Sequence, residues 1–310
     1  MFLVKPYVGT DAPAWDALVD RSRNGNFLHR RSYMDYHADR FEDCSLVVVR
    51  DGELVAVFPA EVRNERVTSH GGLSYAGLIS SSALRAEAAL AVFERIGEHY
   101  RSRGIKNIVY KAVPHVFHNY PSEEDLYALH RLGARLTRRD ISSVIALQQP
   151  FRFTSERRRS VRKARRAGIR LQTGGDSAEF HRLLSGALHR HHATPTHSLE
   201  ELRLLQGRFP HSIMLHEARR ENALLAGVVI YDFGDVVHAQ YMAASDQGRQ
   251  EDALTFLLAE LVENIYPQRC YFSFGISTEQ QGQVLNGGLV EQKERFGARA
   301  IAHDCYEWAL

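Results

Sequence analysis

The chain has little of what marks three common classes of protein. Only three of its 310 residues are cysteine, far apart and in no metal-ligand spacing, so neither a disulfide framework nor a zinc finger is expected. No apolar run is long enough for a membrane-spanning helix, and the N-terminus lacks a basic leader followed by an apolar core. The formal net charge is only +2, which argues against a general polyanion binder. We therefore expect a cytoplasmic protein with no membrane span.

Lysine is scarce and histidine is abundant. Five lysines occur among 39 basic residues, a bias that indicates a GC-rich genome more than a function. The 16 histidines include a group at positions 189, 191, 192 and 197, but this spacing places no three of them on one ligand face. No metal site is therefore expected. A composition with 44% hydrophobic residues can bury one large core or two medium ones.

The stretch from Arg269 to Arg299 carries the clearest pattern. An apolar, aromatic run, Cys270–Phe274, predicts a buried strand that ends at Gly275. The polar residues that follow it suit a helix start, and three apolar residues at near-helical spacing predict its buried face: Leu285, Leu289 and Phe296. A strand end, a polar turn and a helix start in succession are a common place for a ligand site in an α/β fold.

This stretch resembles the second half of the Fem-type (FemAB) aminoacyltransferases and the wider GNAT acyl-CoA N-acyltransferase superfamily. The resemblance rests on residues 272–275, on Asn286–Leu289, and on Lys293 with Phe296 in a lysine-x-x-phenylalanine pattern. It implies an α/β (α+β mixed sheet) fold made of two tandem GNAT-like domains, at residues 1–149 and 150–310. It is nearest to Fem-like proteins that accompany bacterial polysaccharide genes.

Local signals agree with a repeated order of elements. Asp51-Gly52 between two apolar runs predicts a tight hairpin in the first half, and a charged turn at residues 219–222 predicts another in the second. Ser122 and Thr154 or Ser155 are the expected N-caps of two helices. We expect the boundary between the halves near Gln148–Pro150.

Two basic or polar segments are candidates for donor binding. In GNAT enzymes the pyrophosphate of acyl-CoA lies on backbone N–H groups between a strand and a helix, a place that the resemblance gives here to Gln247, Gly248, Arg249 and Gln250. Asp246, Glu251 and Asp252 would repel phosphate there, so an ordinary polar helix entry stays open. Seven cations within residues 157–166, Arg158 and Arg162 among them, favour a phosphate-rich partner over a solvated helix surface. CoA, a nucleotide-sugar diphosphate or the backbone of aminoacyl-tRNA would satisfy them.

The catalytic candidates are His238, Glu279 and Lys293. Strand alternation predicts that His238 and Gln240 share one face of their strand and that Tyr241 lies on the other. Histidine can accept the proton of an attacking amine near neutral pH, although a buried core histidine is an equally good reading. The resemblance places Lys293 near the carbonyl oxygen of the acyl group, where its charge would stabilise the oxyanion, with His238 or Glu279 as base. A surface ion pair of Lys293 with Glu291 or Glu294 is the alternative.

A polar segment after the last internal strand of the first half predicts the acceptor side of a cleft between the halves. A capped helix beside an ordinary loop is the alternative. Together with residues of the glycine-rich loop and the second half, the expected substrate-binding set is His70, Tyr75, Lys111, His115, Tyr120, Glu124, His192, Gln240, Tyr241, Ser277 and Asn286.

These observations predict an acyltransferase that moves an acyl group from acyl-CoA to an amine. The expected acceptor is an amino sugar or nucleotide-linked amino sugar of surface polysaccharide biosynthesis, that is, a small molecule or nucleotide-sugar. Two alternatives remain open. One is a Fem-type enzyme that uses aminoacyl-tRNA on a peptidoglycan precursor, and the other is a non-catalytic scaffold whose site has decayed.

Overall fold

A computed structural model describes residues 2–190 and 193–310. They form two compact units, each with its own core. The first unit comprises the described residues up to Asp140, with Gln280–Val284 and Ala302–Leu310. The second comprises the described residues of Ile141–Glu279, with Leu285–Ile301. The chain thus returns to the first unit at its C-terminus. The linear division at residues 149 and 150 stays a prediction about the repeat.

The first unit contains two sheets and four helices among its described residues. One sheet has the order β1 (Phe2–Pro6), β3 (Leu46–Arg50), β4 (Glu53–Phe58) and β7 (Ile79–Ser80). Within this unit the other runs from β17 (Arg299–Ala309) through β8 (Asn107–Lys111), β6 (Arg66–Thr68) and β5 (Glu61–Arg63) to β2 (Glu42–Asp43). The helices are α1 (Ala12–Arg21), α2 (Arg31–Met34), α3 (Ala86–Arg101) and α4 (Glu124–Arg131).

The second unit is built on one mixed sheet. Its order is β10 (Arg170–Thr173), β11 (Ile213–Arg220), β12 (Ala223–Asp232), β13 (Val236–Ala244), β14 (Tyr271–Ile276) and the end of β9 (Arg135–Ala146). The helices are α5 (Ser155–Arg166), α6 (Ser177–His189), α7 (Leu199–Arg208), α8 (Asp246–Gln250), α9 (Ala253–Glu260) and α10 (Gly287–Glu294). The short strands β15 (Thr278–Glu279) and β16 (Val284–Leu285) lie between β14 and α10. This mixed α/β architecture is the predicted fold class.

Turn and cap chemistry explains several element boundaries. Asp51 and Gly52 both have positive φ, 53° and 86°, which a tight hairpin between β3 and β4 requires, so that prediction is confirmed. The hydroxyl of Thr154 accepts a hydrogen bond from the backbone of Arg157 and begins α5. Ser198 and Glu201 form a capping box at α7. The predicted cap at Ser122 is wrong, because α4 begins two residues later without a side-chain cap.

The helix expected directly after β14 starts later than predicted. Thr278 and Glu279 form β15 instead, and α10 begins at Gly287 with the side chain of Asn286 accepting from Leu289 N. Leu285 consequently lies on β16 and is exposed, whereas Phe296 is buried as predicted. Polar residues suit a helix N-cap and a short strand turn equally well, so the local signal does not distinguish the two.

The two faces of the second unit's sheet are covered by different helices. Val228, Ile230 and Val237 point to a core that contains Leu257 of α9, and this side is called the α9 face. Gly227, on the opposite side, lies against the Phe180 ring of α6, and that side is called the α6 face. Facing residues on paired strands have side chains on the same side of a sheet. The strand registers therefore assign each paired side chain of β11 to β14 to one of the two faces.

Candidate active site

Strands β13 and β14 run in parallel and then part. Their pairing covers Val236 to His238 on one strand and Tyr271 to Ser273 on the other, while β13 continues to Ala244 and β14 to Ile276. Gly275, just past the last pair, has φ of 76°, a conformation that favours glycine. His238 therefore lies where the two strands separate, which is a natural place for a ligand to meet backbone N–H and C=O groups.

A bulge decides which side chains of β13 share a face. Ala239 pairs with Ile230 and Tyr241 pairs with Val229, so Gln240 is an extra residue without a counterpart on β12. Because His238 pairs with Tyr231, two residues from Val229, His238 and Tyr241 both lie on the α6 face. The predicted separation of His238 from Tyr241 is therefore wrong. Simple alternation fails here because the extra residue shifts the strand by one position.

His238 is held by its neighbour on β14. Its Nδ1 shares a hydrogen bond of 3.0 Å with the hydroxyl of Ser273, a side chain that is fully buried. A Cβ built on Gly275 would lie 3.2 Å from Cε1 of His238, so glycine at this position also leaves room for the ring. Ser273 thus fixes the orientation of the imidazole, as a catalytic base requires. The base role of His238 stays a prediction.

Lys293 is buried and has three close acceptors. Its Nζ donates to the carbonyls of Gly275 and Ile276, both at 2.8 Å, and to the hydroxyl of Ser277 at 2.7 Å. Burial lowers its pKa to about 8. The alternative of a surface pair with Glu291 or Glu294 is wrong, because Lys293 is only 3% exposed. Its ammonium holds the turn after β14, next to the residue that contacts His238, and its oxyanion role stays a prediction.

Glu279 and Asn286 contact each other at the surface. Nδ2 of Asn286 donates to Glu279 at 2.7 Å, while Oδ1 of Asn286 accepts from the backbone of Leu289 at 3.0 Å. Glu279 is exposed. Together the two side chains stabilise the entry to α10. Ser277, another predicted site residue, is buried and belongs to the contacts of Lys293.

Tyr241 contacts a histidine that the sequence analysis did not select. Its hydroxyl lies 2.6 Å from Nδ1 of His197 and accepts from the backbone N–H of His197 at 3.2 Å. Nε2 of His181, on α6, contacts the carbonyl of His197 at 3.1 Å. Burial raises the pKa of Tyr241. His197 offered no sequence signal beyond its place in a histidine-rich loop. His192, the predicted substrate-binding residue from that loop, lies outside the described residues.

The predicted phosphate loop is a short helix packed on a strand. Gly248 is buried, and a Cβ built there would lie 1.9 Å from the carbonyl oxygen of Leu225. Ser245 caps the helix by accepting from Gly248 N at 2.9 Å. Among the charged and polar neighbours, Arg249 contacts Asp246, and Gln247 donates to Glu251. Gly248 therefore serves close packing, and CoA binding by Gln247–Gln250 stays a prediction.

The arginine-rich helix α5 has a packed side and an exposed side. Arg157 donates to the Thr255 hydroxyl at 2.9 Å, and Lys163 and Arg165 reach Asp252 and Glu260. The remaining cations of the run, Arg158, Arg159, Arg162 and Arg166, are exposed. Helical spacing places Arg159, Arg162 and Arg166 opposite the buried Val161 and Ala164, with Arg158 beside them at the flank of the helix. They form the arginine face discussed below.

In the first unit, two of the predicted substrate-binding residues, Lys111 and His70, contact each other. Lys111 Nζ donates to the carbonyls of His70 at 3.2 Å, Gly71 at 3.5 Å and Leu73. Burial lowers the pKa of Lys111 to about 8. His70 is buried, has φ of 46°, and packs 5.2 Å from the ring of His37. The ammonium of Lys111 thus holds the glycine-rich loop.

The other first-unit candidates are spread out. Tyr75 is buried, accepts a hydrogen bond from Asn26, and packs at a tilt against Phe117 with the ring centroids 4.8 Å apart. Glu124 pairs with Arg23 at 2.8 Å. His115 and Tyr120 are both exposed. Tyr75 therefore contributes mainly to the core, and substrate binding by this set stays a prediction.

Within residues 2–190 and 193–310, no three His, Cys, Asp or Glu side chains are grouped so that they could hold a metal ion. In the same part of the chain, no helix combines the length and the apolar character needed to cross a membrane.

Comparison with known proteins places this geometry in a known fold. Residues 152–280 match the family model of the acetyltransferase (GNAT) domain. The crystal structure of FemX superimposes with a TM-score of 0.69 and 12% identity, covering 99% of this chain and 97% of FemX. The C-terminal domain of a putative lysylphosphatidylglycerol synthetase from Agrobacterium fabrum gives a TM-score of 0.60 and 11% identity, covering 97% and 91%.

A tandem GNAT protein from the clavulanic acid biosynthesis pathway gives a TM-score of 0.54 and 11% identity, covering 100% of this chain and 98% of that one. No curated protein matches the sequence. The predicted resemblance to the Fem-type and GNAT superfamily is confirmed, and so is the fold class. Residues 152–280 therefore resemble an acetyltransferase (GNAT) domain.

Proposed function

From the Fem-type and GNAT fold of this chain, we propose that it transfers an acyl group from acyl-CoA to an amine. The observation that carries the proposal is the parting of β13 and β14 directly after the pair His238 and Ser273. A donor whose amide groups pair with the open strand edge would bring its carbonyl carbon beside the imidazole. Proximity of this kind accounts for a large part of the rate of acyl transfer.

The proposed chemistry needs one base and one source of positive charge. The amine attacks the thioester carbonyl, a C–N bond forms, and the amine proton passes to His238. The tetrahedral intermediate then collapses, the C–S bond breaks, and the thiolate leaves and is protonated. Ser273 orients the base through Nδ1. Lys293 holds the Gly275–Ser277 turn and places a positive charge near the developing oxyanion.

The proposed acceptor is an amino sugar or a nucleotide-linked amino sugar of surface polysaccharide biosynthesis, and the proposed location is the cytoplasm. The resemblance to Fem-like proteins of polysaccharide gene clusters supports the acceptor. The cysteines are consistent with a reducing compartment, because Cys44, Cys270 and Cys305 are all free thiols.

Acyl transfer can be measured as release of free CoA from acetyl-CoA and longer acyl-CoAs, with glucosamine and UDP-linked amino sugars as acceptors. His238→Gln should lower kcat by about 100- to 10,000-fold, the usual range for loss of a general base. His130→Gln is the matched control, because His130 is exposed on α4 and contacts none of these groups. Normal turnover in His238→Gln would remove His238 from the mechanism.

The arginine face of α5 favours a second candidate, an aminoacyl-tRNA-dependent transferase of the Fem type. Four exposed arginines on one side of a helix suit a phosphate backbone, and binding through them should weaken steeply with salt. The triple variant Arg158→Gln, Arg162→Gln, Arg166→Gln should bind charged tRNA more weakly and with a flatter salt dependence. A control with Arg85, Arg101 and Arg103 changed to Gln removes the same charge from the first unit.

Three outcomes separate the candidates. CoA release that depends on an amine supports acyl-CoA as donor. Transfer from aminoacyl-tRNA that depends on the arginine face supports the Fem-type enzyme. Binding of a ligand without turnover in either assay would favour the scaffold.

A further inference from the structure

A second concave site lies on the other side of the second unit's sheet. Its cavity is about 510 Å³, within the size range of small-molecule sites. The lining includes His216 and Met214 of β11, which pair with Val228 and Ile230 and therefore lie on the α9 face. His238 and Tyr241 lie on the α6 face, so the sheet itself separates this cavity from the candidate active site. The remaining lining residues are Thr173, His211, Asp232, Ile265, Tyr266, Gln268 and Arg269.

The centre of the cavity wall is a chain of three hydrogen-bonding side chains. His216 is 1% exposed, its Nδ1 lies 2.9 Å from the hydroxyl of Thr173, and its Nε2 lies 2.8 Å from the hydroxyl of Tyr266. Burial lowers the pKa of His216 to about 4, so the ring is neutral at pH 7. A buried polar side chain is costly unless it is hydrogen-bonded, and here both nitrogens are.

Counting protons shows that this chain has one donor to spare. Thr173, neutral His216 and Tyr266 each carry one polar hydrogen, which makes three. The two hydrogen bonds of the chain use two of them. Whichever ring tautomer is present, one hydroxyl, at the Thr173 end or at the Tyr266 end, keeps a proton to donate. Both residues line the cavity, so this donor is available to an acceptor oxygen of a ligand.

The charged groups of the lining neutralise each other. Arg269 donates to Asp232 at 2.7 Å, and the other carboxylate oxygen of Asp232 accepts from the backbone N–H of Gly234 at 2.9 Å. A phosphate or carboxylate ligand would have to share Arg269 with this carboxylate. An ammonium ligand would have to displace Arg269 or the Gly234 contact. The site therefore suits an uncharged ligand that hydrogen-bonds.

Apolar surface completes the lining. Ile265 is 43% exposed, Met214 is partly buried, and the ring of Tyr266 adds an aromatic face. A ring with hydroxyl groups around its edge could accept a hydrogen bond from the spare hydroxyl of the cavity. The C–H groups on the face of the same ring could pack against the apolar surface. We propose that this cavity binds a neutral saccharide ring, free or within a glycan. This site is separate from the acyl-transfer chemistry and would anchor a carbohydrate on the opposite face of the sheet.

Saturation-transfer NMR on the full chain tests the proposal. The probes are the methyl α-glycosides of glucose, galactose, mannose and N-acetylglucosamine, with inorganic phosphate and methylammonium as charged probes. Saturation should pass from the protein to at least one of the glycosides, which shows that this glycoside binds. Tyr266→Phe keeps the ring and removes one end of the hydrogen-bond chain, so it should weaken that glycoside about five- to tenfold. Tyr127→Phe, an exposed tyrosine of the first unit, is the matched control and should bind normally.

A second variant tests the same site in case Tyr266→Phe folds poorly. Gln268→Ala changes an exposed rim residue and should also weaken the glycoside while the melting temperature stays unchanged. The proposal would be overturned if none of the four glycosides received saturation, or if phosphate or methylammonium bound more tightly than the glycosides. It would also be overturned if both variants bound the glycoside as tightly as the wild type does. Glycoside binding should survive His238→Gln, so failure of the acyl-transfer mechanism and failure of this site give different results.

Discussion

Each unit contains one lysine whose ammonium donates to three oxygens beside the end of a strand. Lys111, the last residue of β8, contacts the carbonyls of His70, Gly71 and Leu73 in the first unit. Lys293, on α10, contacts the Gly275 and Ile276 carbonyls and the Ser277 hydroxyl in the second. The chain has only five lysines, and two of them perform this task. An ammonium group suits it because it has three donors and no acceptor.

The two contact sets differ in what lies next to them. The loop held by Lys111 carries His70, which is buried against His37 and Phe41. The turn held by Lys293 carries Gly275, which lies against His238. The acceptors of Lys111 are backbone carbonyls, whereas Lys293 also uses a side-chain hydroxyl. A lysine ammonium with three oxygen acceptors thus holds a packed loop in the first unit. In the second unit the same arrangement holds the turn beside His238, the proposed base.

Replacing Lys293 should have the largest effect. Lys293→Met removes the charge near the reacting carbonyl and leaves the Gly275 and Ile276 carbonyls without this donor. We expect turnover to fall by about 100- to 1000-fold. The free energy of unfolding should also fall, by about 2–4 kcal/mol. CoA-release kinetics and urea denaturation measure the two effects. Normal turnover with reduced stability would limit Lys293 to holding the turn.

Lys111→Met should affect stability and spare the chemical step. The variant leaves the backbone acceptors of the loop without a donor, so we expect the free energy of unfolding to fall by about 2–3 kcal/mol. Turnover should change only a few-fold, because the three acceptors of Lys111 all belong to the glycine-rich loop of its own unit. A large rise in KM for the acceptor would instead support the predicted role of Lys111 in substrate binding.

The free energy of unfolding at alkaline pH should depend on the titration of both lysines. Burial lowers their pKa values from 10.5 to about 8, so between these values the unfolded chain binds more protons than the folded one. Their contribution to stability should therefore rise as pH increases from 8 to 10.5. The slope is at most about 1.4 kcal/mol per pH unit for each lysine. Urea midpoints of the wild type and of the Lys111→Met, Lys293→Met double variant, measured at pH 7.5 and 9.5, test the sign. A slope unchanged in the double variant would contradict it.

Ser277→Ala should have the smallest effect and distinguishes the two contact sets. It removes one acceptor of Lys293 and no acceptor of Lys111. We expect a loss of about 1 kcal/mol in stability. If Lys293 stabilises the oxyanion directly, turnover should be nearly normal, because the ammonium keeps its charge and gains a free donor. A fall in turnover as large as that of Lys293→Met would show that the position of the turn is what matters.

Patterns that depend on nearby residues were predictable from the sequence. The Asp51-Gly52 hairpin and the Thr154 cap follow from local turn and cap chemistry. The strand predicted over Cys270–Phe274 is present, but it continues through Gly275 to Ile276. The late start of α10 was not predictable in this way, because β15 and β16 intervene where polar residues also suit a helix N-cap.

The candidate site was only partly predictable. His238 and Lys293 were selected from the sequence, and the structure places both beside Gly275, one through its ring and the other through its ammonium. Ser273 and His197 were missed as partners, because their contacts join residues 35 and 44 positions apart. Lys111 and Lys293 gave no sequence sign of their three acceptors. Backbone carbonyls offer the same atoms at every position, so only the folded chain shows which of them a lysine reaches.

The extra residue in β13 has a consequence for changes in the length of this strand. β12 pairs with β13 as if Gln240 were absent, so a chain without Gln240 would keep His238 opposite Tyr231 and Tyr241 opposite Val229, on the same face of the sheet. A further residue inserted between His238 and Tyr241 has the opposite effect, because a shift by one position turns the side chains beyond it to the other face of the sheet. At this point β13 should therefore tolerate the loss of one residue better than the gain of one.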